Sequence, residues 1–145
     1  MKLKNILLVE DNPDDEALIL MSLRKSAIGR EVAIVRDGQA ALDYLSATGA
    51  HAGRDREDLP AVVLLDLKLP KLDGHEVLQR IRAESRTKLQ PVVILTSSDE
   101  VKDRLKSYDL GVNSYVCKPV DSGEFKETID KLGSYWTRIN KTPRD

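Results

Sequence analysis

The chain has 145 residues, a length that fits one domain with an apolar core and no need of disulfides. Its 23 basic and 24 acidic residues leave a net charge of -1, so it lacks the broad basic surface that attracts nucleic acid or an anionic membrane. It contains one cysteine, and its start shows no features of a signal peptide or a membrane span. We therefore expect one domain over residues 1–145 in the cytoplasm, without a nucleic-acid or membrane partner.

Apolar runs alternate with helix-like stretches along the chain, which predicts an α/β fold with helices on both faces of a parallel sheet. The first run covers residues 6–9, and a helix is expected from Pro13 to about Ser26, preceded by Asn12. The further predicted elements are a strand within 28–35, a helix over 39–47, a strand over 61–65, a helix after Asp73 and Gly74, a strand over 92–95, a helix over 99–107, a strand over 115–117 and a last helix capped by Asp121 or Ser122.

The segment 48–60 is long for a connection in a compact domain. It carries two glycines and a charged run over residues 54–58. Long loops of this kind are often functional, whereas a charged run alone usually marks a solvated surface. A partner-contact loop and a solvated insertion both remain open.

The last helix carries one apolar stripe with residues at steps of four and three. We expect its first members to lie in the core. Its outer end, with Tyr135, is expected either to form part of a homodimer contact or to pack within the domain. The stripe consists of Phe125, Ile129, Leu132, Trp136 and Ile139.

Chemically reactive side chains follow four of the predicted strands. Since the carboxyl ends of parallel strands share one edge of a sheet, and ligands bind in the crevice there, we expect these side chains to converge. Taken singly, a strand-end acid or a Lys-Pro pair is usually a solvated loop residue or a cap. All of these residues together, in this order along the chain, indicate a functional site much more specifically. They are Glu10 and Asp11, then Asp66, then Thr96, then Lys118.

This combination suits phosphoryl transfer to a carboxylate. The acceptor must be ionised, and the charge of the transferred group must be neutralised by a metal and by fixed donors. Glu10, Asp11 and Asp66 supply the oxygen ligands that Mg²⁺ prefers. Lys118 adds a compact positive charge, and the Thr96 hydroxyl can donate to a phosphate oxygen.

Over about residues 4–132 the chain resembles the receiver domain of bacterial two-component response regulators. The matching pieces are residues 7–12, 64–70, 73–74, 91–97 and 115–119. The resemblance implies a flavodoxin-like, doubly wound five-stranded parallel sheet in the order 2-1-3-4-5 with five helices. Residues 133–145 would then be a C-terminal helix extension and tail.

The resemblance also implies roles for the strand-end residues. Asp66 would accept a phosphoryl group from the histidine of a sensor kinase, and the chain would assist only its own phosphorylation and dephosphorylation. Mg²⁺ would be held by Asp11, Asp66 and the backbone carbonyl of Lys68, with Glu10 acting through a metal-bound water. Glu10 stands where aspartate is more frequent, and its longer side chain can still reach a metal through water.

Lys118 would contact the phosphoryl oxygens, aimed by a cis peptide bond before Pro119. Thr96 and Tyr115 resemble the family's switch pair, in which the hydroxyl moves toward the phosphoryl group and the aromatic ring rotates inward. This movement would alter the face made by the fourth helix, fifth strand and fifth helix. Lys68 stands at a variable place that affects hydrolysis, so the lifetime of the phosphorylated state stays open.

Three shorter features are similar to the small regulators paired with bacterial phytochrome histidine kinases. They are the loop before the third strand, the Val120-Asp121 step and the end at residues 132–136. This similarity implies a phytochrome-type kinase as partner.

Other functions remain as alternatives. A phosphatase of the haloacid dehalogenase type also uses a strand-end aspartate with Mg²⁺, but its Asp-x-Asp motif is broken here because Lys68 occupies the second position. A pseudo-receiver would bind partners without being phosphorylated. A phosphorelay shuttle or sink would pass the group from Asp66 to another histidine.

Overall fold

A computed structural model describes residues 3–144; Met1, Lys2 and Asp145, the ends of the predicted domain and tail, lie outside the described residues. The strands are β1 (Ile6–Val9), β2 (Val32–Val35), β3 (Val62–Leu65), β4 (Val92–Thr96) and β5 (Ser114–Cys117). The helices are α1 (Pro13–Ser26), α2 (Gly38–Ser46), α3 (Gly74–Ala83), α4 (Val101–Asp109) and α5 (Ser122–Ser134), with a short 3₁₀ turn at Gly49–His51 and a π-helical turn at Tyr135–Ile139.

The strands form one parallel sheet in the order β2-β1-β3-β4-β5, which confirms the predicted flavodoxin-like fold. The register of the central strands determines which residues lie side by side at the carboxyl edge of the sheet. Val9 of β1 pairs with Leu65 of β3, so Glu10 and Asp66 leave the sheet side by side. The switch point of the sheet lies between these two strands, where the chain turns to opposite faces.

The sheet has an apolar core on each face because alternate residues of a strand point to opposite sides. Leu7 and Val9 contribute to one core, and Ile6 and Leu8 contribute to the other. All four residues of β1 are buried, as are those of β3 and β4. Strands buried on both faces explain why these segments are continuous apolar runs rather than alternating ones.

The helix starts follow local capping chemistry. The Asn12 side chain accepts hydrogen bonds from the backbone of Asp14 and Asp15, and Pro13 occupies the first position of α1, as predicted. Of the two residues proposed to cap α5, Asp121 does so, by accepting from the amide of Glu124. Helix α4 begins two residues later than predicted, at Val101, and its preceding residue makes no side-chain cap.

The segment 48–60 packs on its own domain. The Arg54 guanidinium lies 3.6 Å from the centre of the Tyr44 ring and donates to the Asp58 carbonyl oxygen at 2.6 Å and to the Tyr44 carbonyl oxygen. The same segment approaches the C-terminal tail, where Glu57 lies 3.5 Å from Arg144. Arg54 therefore anchors this segment to its own domain. Of the two interpretations that the sequence left open, a partner contact for the exposed part stays a prediction.

The apolar stripe of the last helix is only partly in the core. Phe125 and Ile129 are buried, and Leu132 and Trp136 are partly buried against the same core. Ile139 is 66% exposed and Tyr135 is 45% exposed. Trp136 thus packs within the domain, and the outermost apolar surface consists of Tyr135 and Ile139. Between residues 3 and 144, none of the helices has the length and apolar character needed to cross a bilayer.

Candidate functional site

Three carboxylates meet at the carboxyl edge of β1 and β3. Glu10, Asp11 and Asp66 each offer an oxygen atom within 4.8 Å of the others, and we call these residues the acidic cluster. Glu10 and Asp66 are buried, whereas Asp11 is exposed at the rim. The sheet therefore brings together the acids that the sequence predicted to converge.

Lys118 joins two members of this cluster, Glu10 and Asp66. Its Nζ donates to Glu10 Oε1 at 2.6 Å and to Asp66 Oδ2 at 2.9 Å, and its side chain is 7% exposed. A third acceptor, Asp15 Oδ2, lies 2.8 Å from the same nitrogen. Because an ammonium group has three N–H donors, all of them are occupied.

The sequence did not predict the contact of Asp15. An acid in the first turn of a helix interacts favourably with the helix dipole, and the position of Asp15 by itself predicts no more than that. The available signal was its place five residues after Glu10, at the start of a helix that begins beside the end of β1. Only the direction of that first turn shows that this carboxylate points toward Lys118.

The prediction of a cis peptide bond before Pro119 is wrong, since residues 3–144 contain no cis peptide bond. Trans is the intrinsically preferred form of an X-Pro bond. With the trans bond, the Lys118 amine already reaches Glu10, Asp15 and Asp66. A cis bond is therefore not needed to aim the lysine in this arrangement.

Burial and charge shift the protonation of the site. Burial raises the pKa of Glu10 to about 7, helped by the nearby Asp66 charge and opposed by the hydrogen bond from Lys118. Burial by itself lowers the pKa of Lys118, but its hydrogen bonds to Asp15 and Glu10 outweigh this effect, so that pKa lies above its ordinary value. The lysine is therefore charged at neutral pH, and Glu10 is the acid with an unfavourable ionised form.

Glu10 is expected to make the protein less stable as the pH rises through the range from 4.5 to about 7. In this range the folded state keeps a proton on Glu10 that the unfolded state has lost. The contribution of this proton to the free energy of unfolding is therefore fully present below pH 4.5 and is lost above about pH 7. The effect has an upper limit of roughly 3 kcal/mol. In metal-free urea titrations, the free energy of unfolding of the wild type should fall across this range relative to that of Glu10→Gln. Parallel curves for the two proteins would contradict the expectation.

The donor set of the acidic cluster fits a hard divalent cation. Carboxylate oxygens are the ligands that Mg²⁺, Mn²⁺ and Ca²⁺ accept, and the mutual repulsion of Glu10 and Asp66 is relieved by a cation. Asp11 is exposed and leaves one side of the cluster accessible. Lys68 lies in the loop after β3, where its amide is 3.4 Å from Asp66 Oδ1.

The predicted switch residues meet at Ser98. The buried Thr96 hydroxyl accepts from the Ser98 amide at 3.3 Å, and the Tyr115 hydroxyl donates to the Ser98 carbonyl oxygen at 2.9 Å. The Ser98 hydroxyl in turn donates to Asp103 Oδ2 in α4 at 2.6 Å. Ser98, for which the sequence predicted no role, thus joins Thr96, Tyr115 and α4.

Helix α4 presents apolar side chains to solvent. Val101 and Leu105 are 57% and 65% exposed, and Tyr108 is 52% exposed. The buried residue of the helix is Ser107, whose hydroxyl lies 2.9 Å from His75 Nε2 of α3. The apolar pattern therefore marks a surface of the protein rather than a buried side of the helix.

Residues 6–130 match the family model of the response regulator receiver domain. The chain is 43% identical over 138 residues to the probable methanogenesis regulatory protein FilR2 of Methanothrix harundinacea, covering 95% of this chain and 86% of the relative. It is 40% identical over 140 residues to the response regulator Rcp1 of Synechocystis, covering 97% and 93%.

Three solved structures of response regulators are similar to this structure over 97% of this chain. The phosphorylated cyanobacterial phytochrome response regulator RcpA has a TM-score of 0.90 and 39% identity, with 99% of its chain covered. The Mn²⁺-bound form of response regulator Rcp1 has a TM-score of 0.89 and 38% identity, also with 99% covered. The bacteriophytochrome response regulator RtBRR has a TM-score of 0.77 and 51% identity, with 84% covered.

Proposed function

The chain belongs to the family of response regulator receiver domains, and from this premise we propose that Asp66 is the residue that accepts a phosphoryl group from a sensor histidine kinase. The observation that supports this role is the set of contacts around Asp66. It ends the central strand β3, lies in the acidic cluster and accepts a hydrogen bond from Lys118. Glu10 shares the cluster and the lysine contact but follows β1, whereas Asp66 follows β3, the middle strand of the five.

The transfer forms a bond between an Asp66 carboxylate oxygen and phosphorus, and it breaks the bond between phosphorus and the kinase histidine. The histidine nitrogen keeps the bonding electrons and takes up a proton. Lys118 stays charged beside the developing negative charge on the phosphoryl oxygens, and Thr96 offers a hydroxyl on the β4 side. Because Lys118 is nearly inaccessible to water, its attraction for these oxygens is stronger than in solution.

The proposed metal is Mg²⁺, held by Asp11, Asp66 and the backbone carbonyl of Lys68, with Glu10 acting through a water. When bound, it neutralises charge on the transferred group. Two observations support a divalent cation at this place: the oxygen donor set of the acidic cluster and the Mn²⁺-bound form of the relative Rcp1. Mg²⁺ is chosen because it readily keeps water and phosphate oxygens among its six ligands.

The proposed output follows from the contacts of Ser98. Movement of the Thr96 hydroxyl toward a phosphoryl group would break its bond with the Ser98 amide. Since Ser98 also binds Tyr115 and Asp103, this movement would reach α4 directly. The exposed Val101, Leu105 and Tyr108 would then change their arrangement at the face formed by α4, β5 and α5. In this proposal the chain signals through contacts with other proteins. It acts in the cytoplasm, because that compartment supplies the kinase with ATP. Its own chemistry is limited to forming and hydrolysing its aspartyl phosphate.

A phytochrome-type histidine kinase is the proposed donor, because RcpA is a cyanobacterial phytochrome response regulator and RtBRR is a bacteriophytochrome response regulator. We expect an autophosphorylated bacteriophytochrome kinase to transfer its label to this protein at least a hundredfold faster, in kcat/KM, than an unrelated histidine kinase. Asp66→Asn serves as the control that accepts no label. Equal rates from both kinases would overturn the phytochrome assignment. Onward transfer of the label to a histidine phosphotransfer protein would instead favour a relay shuttle.

A homodimer through the end of the last helix is also part of the proposal. Its support is the exposed pair of Tyr135 and Ile139, whereas Trp136 packs largely against its own domain. We expect sedimentation of a Tyr135→Ser, Ile139→Ser variant to show a smaller species than the wild type. An unchanged sedimentation coefficient would remove this contact.

A further inference from the structure

Asp15 is a contact of Lys118 that the proposed site does not use. Its Oδ2 lies 2.8 Å from Lys118 Nζ, and its side chain is 25% exposed. It does not belong to the acidic cluster, whose members are Glu10, Asp11 and Asp66. Asp15 therefore binds the lysine from the α1 side, outside the predicted metal site.

The first turn of α1 fixes this direction. Asn12 accepts from the amides of Asp14 and Asp15, and Pro13 restricts the backbone between them. The two neighbouring acids then point differently, since Asp14 is exposed and Asp15 contacts Lys118. The contact is thus a consequence of cap geometry and not of a general negative charge at the helix start.

Phosphorylation changes the acceptors available to Lys118. Its three N–H donors are occupied by Glu10, Asp15 and Asp66. A phosphoryl group on Asp66 brings new anionic oxygens, so the lysine must redirect at least one donor. A cation in the acidic cluster draws the charges of Glu10 and Asp66 to itself. Asp15 is the acceptor that neither event removes.

We propose that Asp15 is a positioning residue for the phosphoryl transfer: it holds Lys118 in place while the lysine exchanges Asp66 for the phosphoryl oxygens. The inference rests on the proposed function. Holding a cation in a fixed direction before charge develops lowers the cost of reorganisation in the transition state. Asparagine keeps the shape of Asp15 but weakens its hydrogen bond, because charge-assisted hydrogen bonds are stronger than neutral ones.

The experiment compares Asp15→Asn with Asp14→Asn. Both variants lose one negative charge from the same helix turn. The net charge and the interaction of this turn with the helix dipole therefore change to a similar extent in the two proteins. With acetyl phosphate and saturating Mg²⁺, we expect Asp15→Asn to be phosphorylated about tenfold more slowly than the wild type, a rate loss equal to one weakened charged hydrogen bond. Asp14→Asn should match the wild type.

A second readout reports the lysine directly. The buried, fully hydrogen-bonded ammonium group of Lys118 should give a slowly exchanging ¹H–¹⁵N signal, assigned by its loss in Lys118→Gln. We expect the signal in the wild type and Asp14→Asn and its broadening in Asp15→Asn. A persistent signal, or equal phosphorylation rates for the two asparagine variants, would overturn the role of Asp15. Failure of the wild type to be phosphorylated would instead reject the proposed function, while the signal would still report the contact.

Discussion

Lys118→Ala is expected to lower the free energy of unfolding by roughly 3 kcal/mol or more in metal-free buffer near pH 8, the typical cost of removing one partner from a buried charge network. The lysine is the cation that contacts both Glu10 and Asp66, which are 1% and 8% exposed. Without it these carboxylates keep their desolvation cost and lose their attraction. At lower pH the cost shrinks, because Glu10 can take up a proton.

Lys106→Ala is the matched control for this change, since Lys106 is an exposed lysine on α4. Chemical denaturation of both variants gives the comparison. Saturating Mg²⁺ should restore part of the stability of Lys118→Ala, because a cation in the acidic cluster replaces some of the missing positive charge. A loss no larger than that of Lys106→Ala would show that Lys118 does not stabilise the buried acids.

The sequence predicted the sheet and the main members of the site for a simple reason. Four of the five strands, β1, β3, β4 and β5, contain a short apolar run that ends at a reactive side chain, and parallel strands bring such ends to one edge. The positions of Glu10, Asp66 and Lys118 therefore followed from strand boundaries alone. The resemblance to receiver domains added the strand order, which apolar runs do not specify.

Other features depended on contacts that no periodic pattern contains. The contact of Asp15 with Lys118 follows from the cap at Asn12, which sets the direction of the first helical turn. The docking of segment 48–60 involves tertiary contacts such as those of Arg54 with Tyr44 and of Arg86 with the Arg56 carbonyl oxygen. A charged run gives no sign of such a contact, because the same residues on another surface would be solvated.

The sequence also predicted a helix near α4 without predicting which of its sides is buried. Val101 and Leu105 repeat at helical spacing but face solvent, and the helix buries Ser107 instead. A hydrophobic pattern reports that a helix is amphipathic. It does not tell a side that packs in the core from a side kept for a partner.

Asp66→Asn is expected to abolish phosphorylation, because the amide lacks the anionic oxygen that forms the bond to phosphorus. The Asp66 carboxylate meets the requirement of an acceptor: it lies at the end of β3, contacts Lys118 and shares the acidic cluster. Asp14→Asn is the control for the loss of one acid, since Asp14 is exposed and outside this cluster.

The most direct measurement is the mass of the intact protein after incubation with acetyl phosphate and Mg²⁺. We predict one added phosphoryl group on the wild type and on Asp14→Asn, and none on Asp66→Asn or when the metal is removed by a chelator. An equal adduct on Asp66→Asn would place the acceptor elsewhere. No adduct on the wild type, together with no binding of beryllofluoride, would contradict phosphorylation at this site and indicate a receiver that binds its partners unphosphorylated.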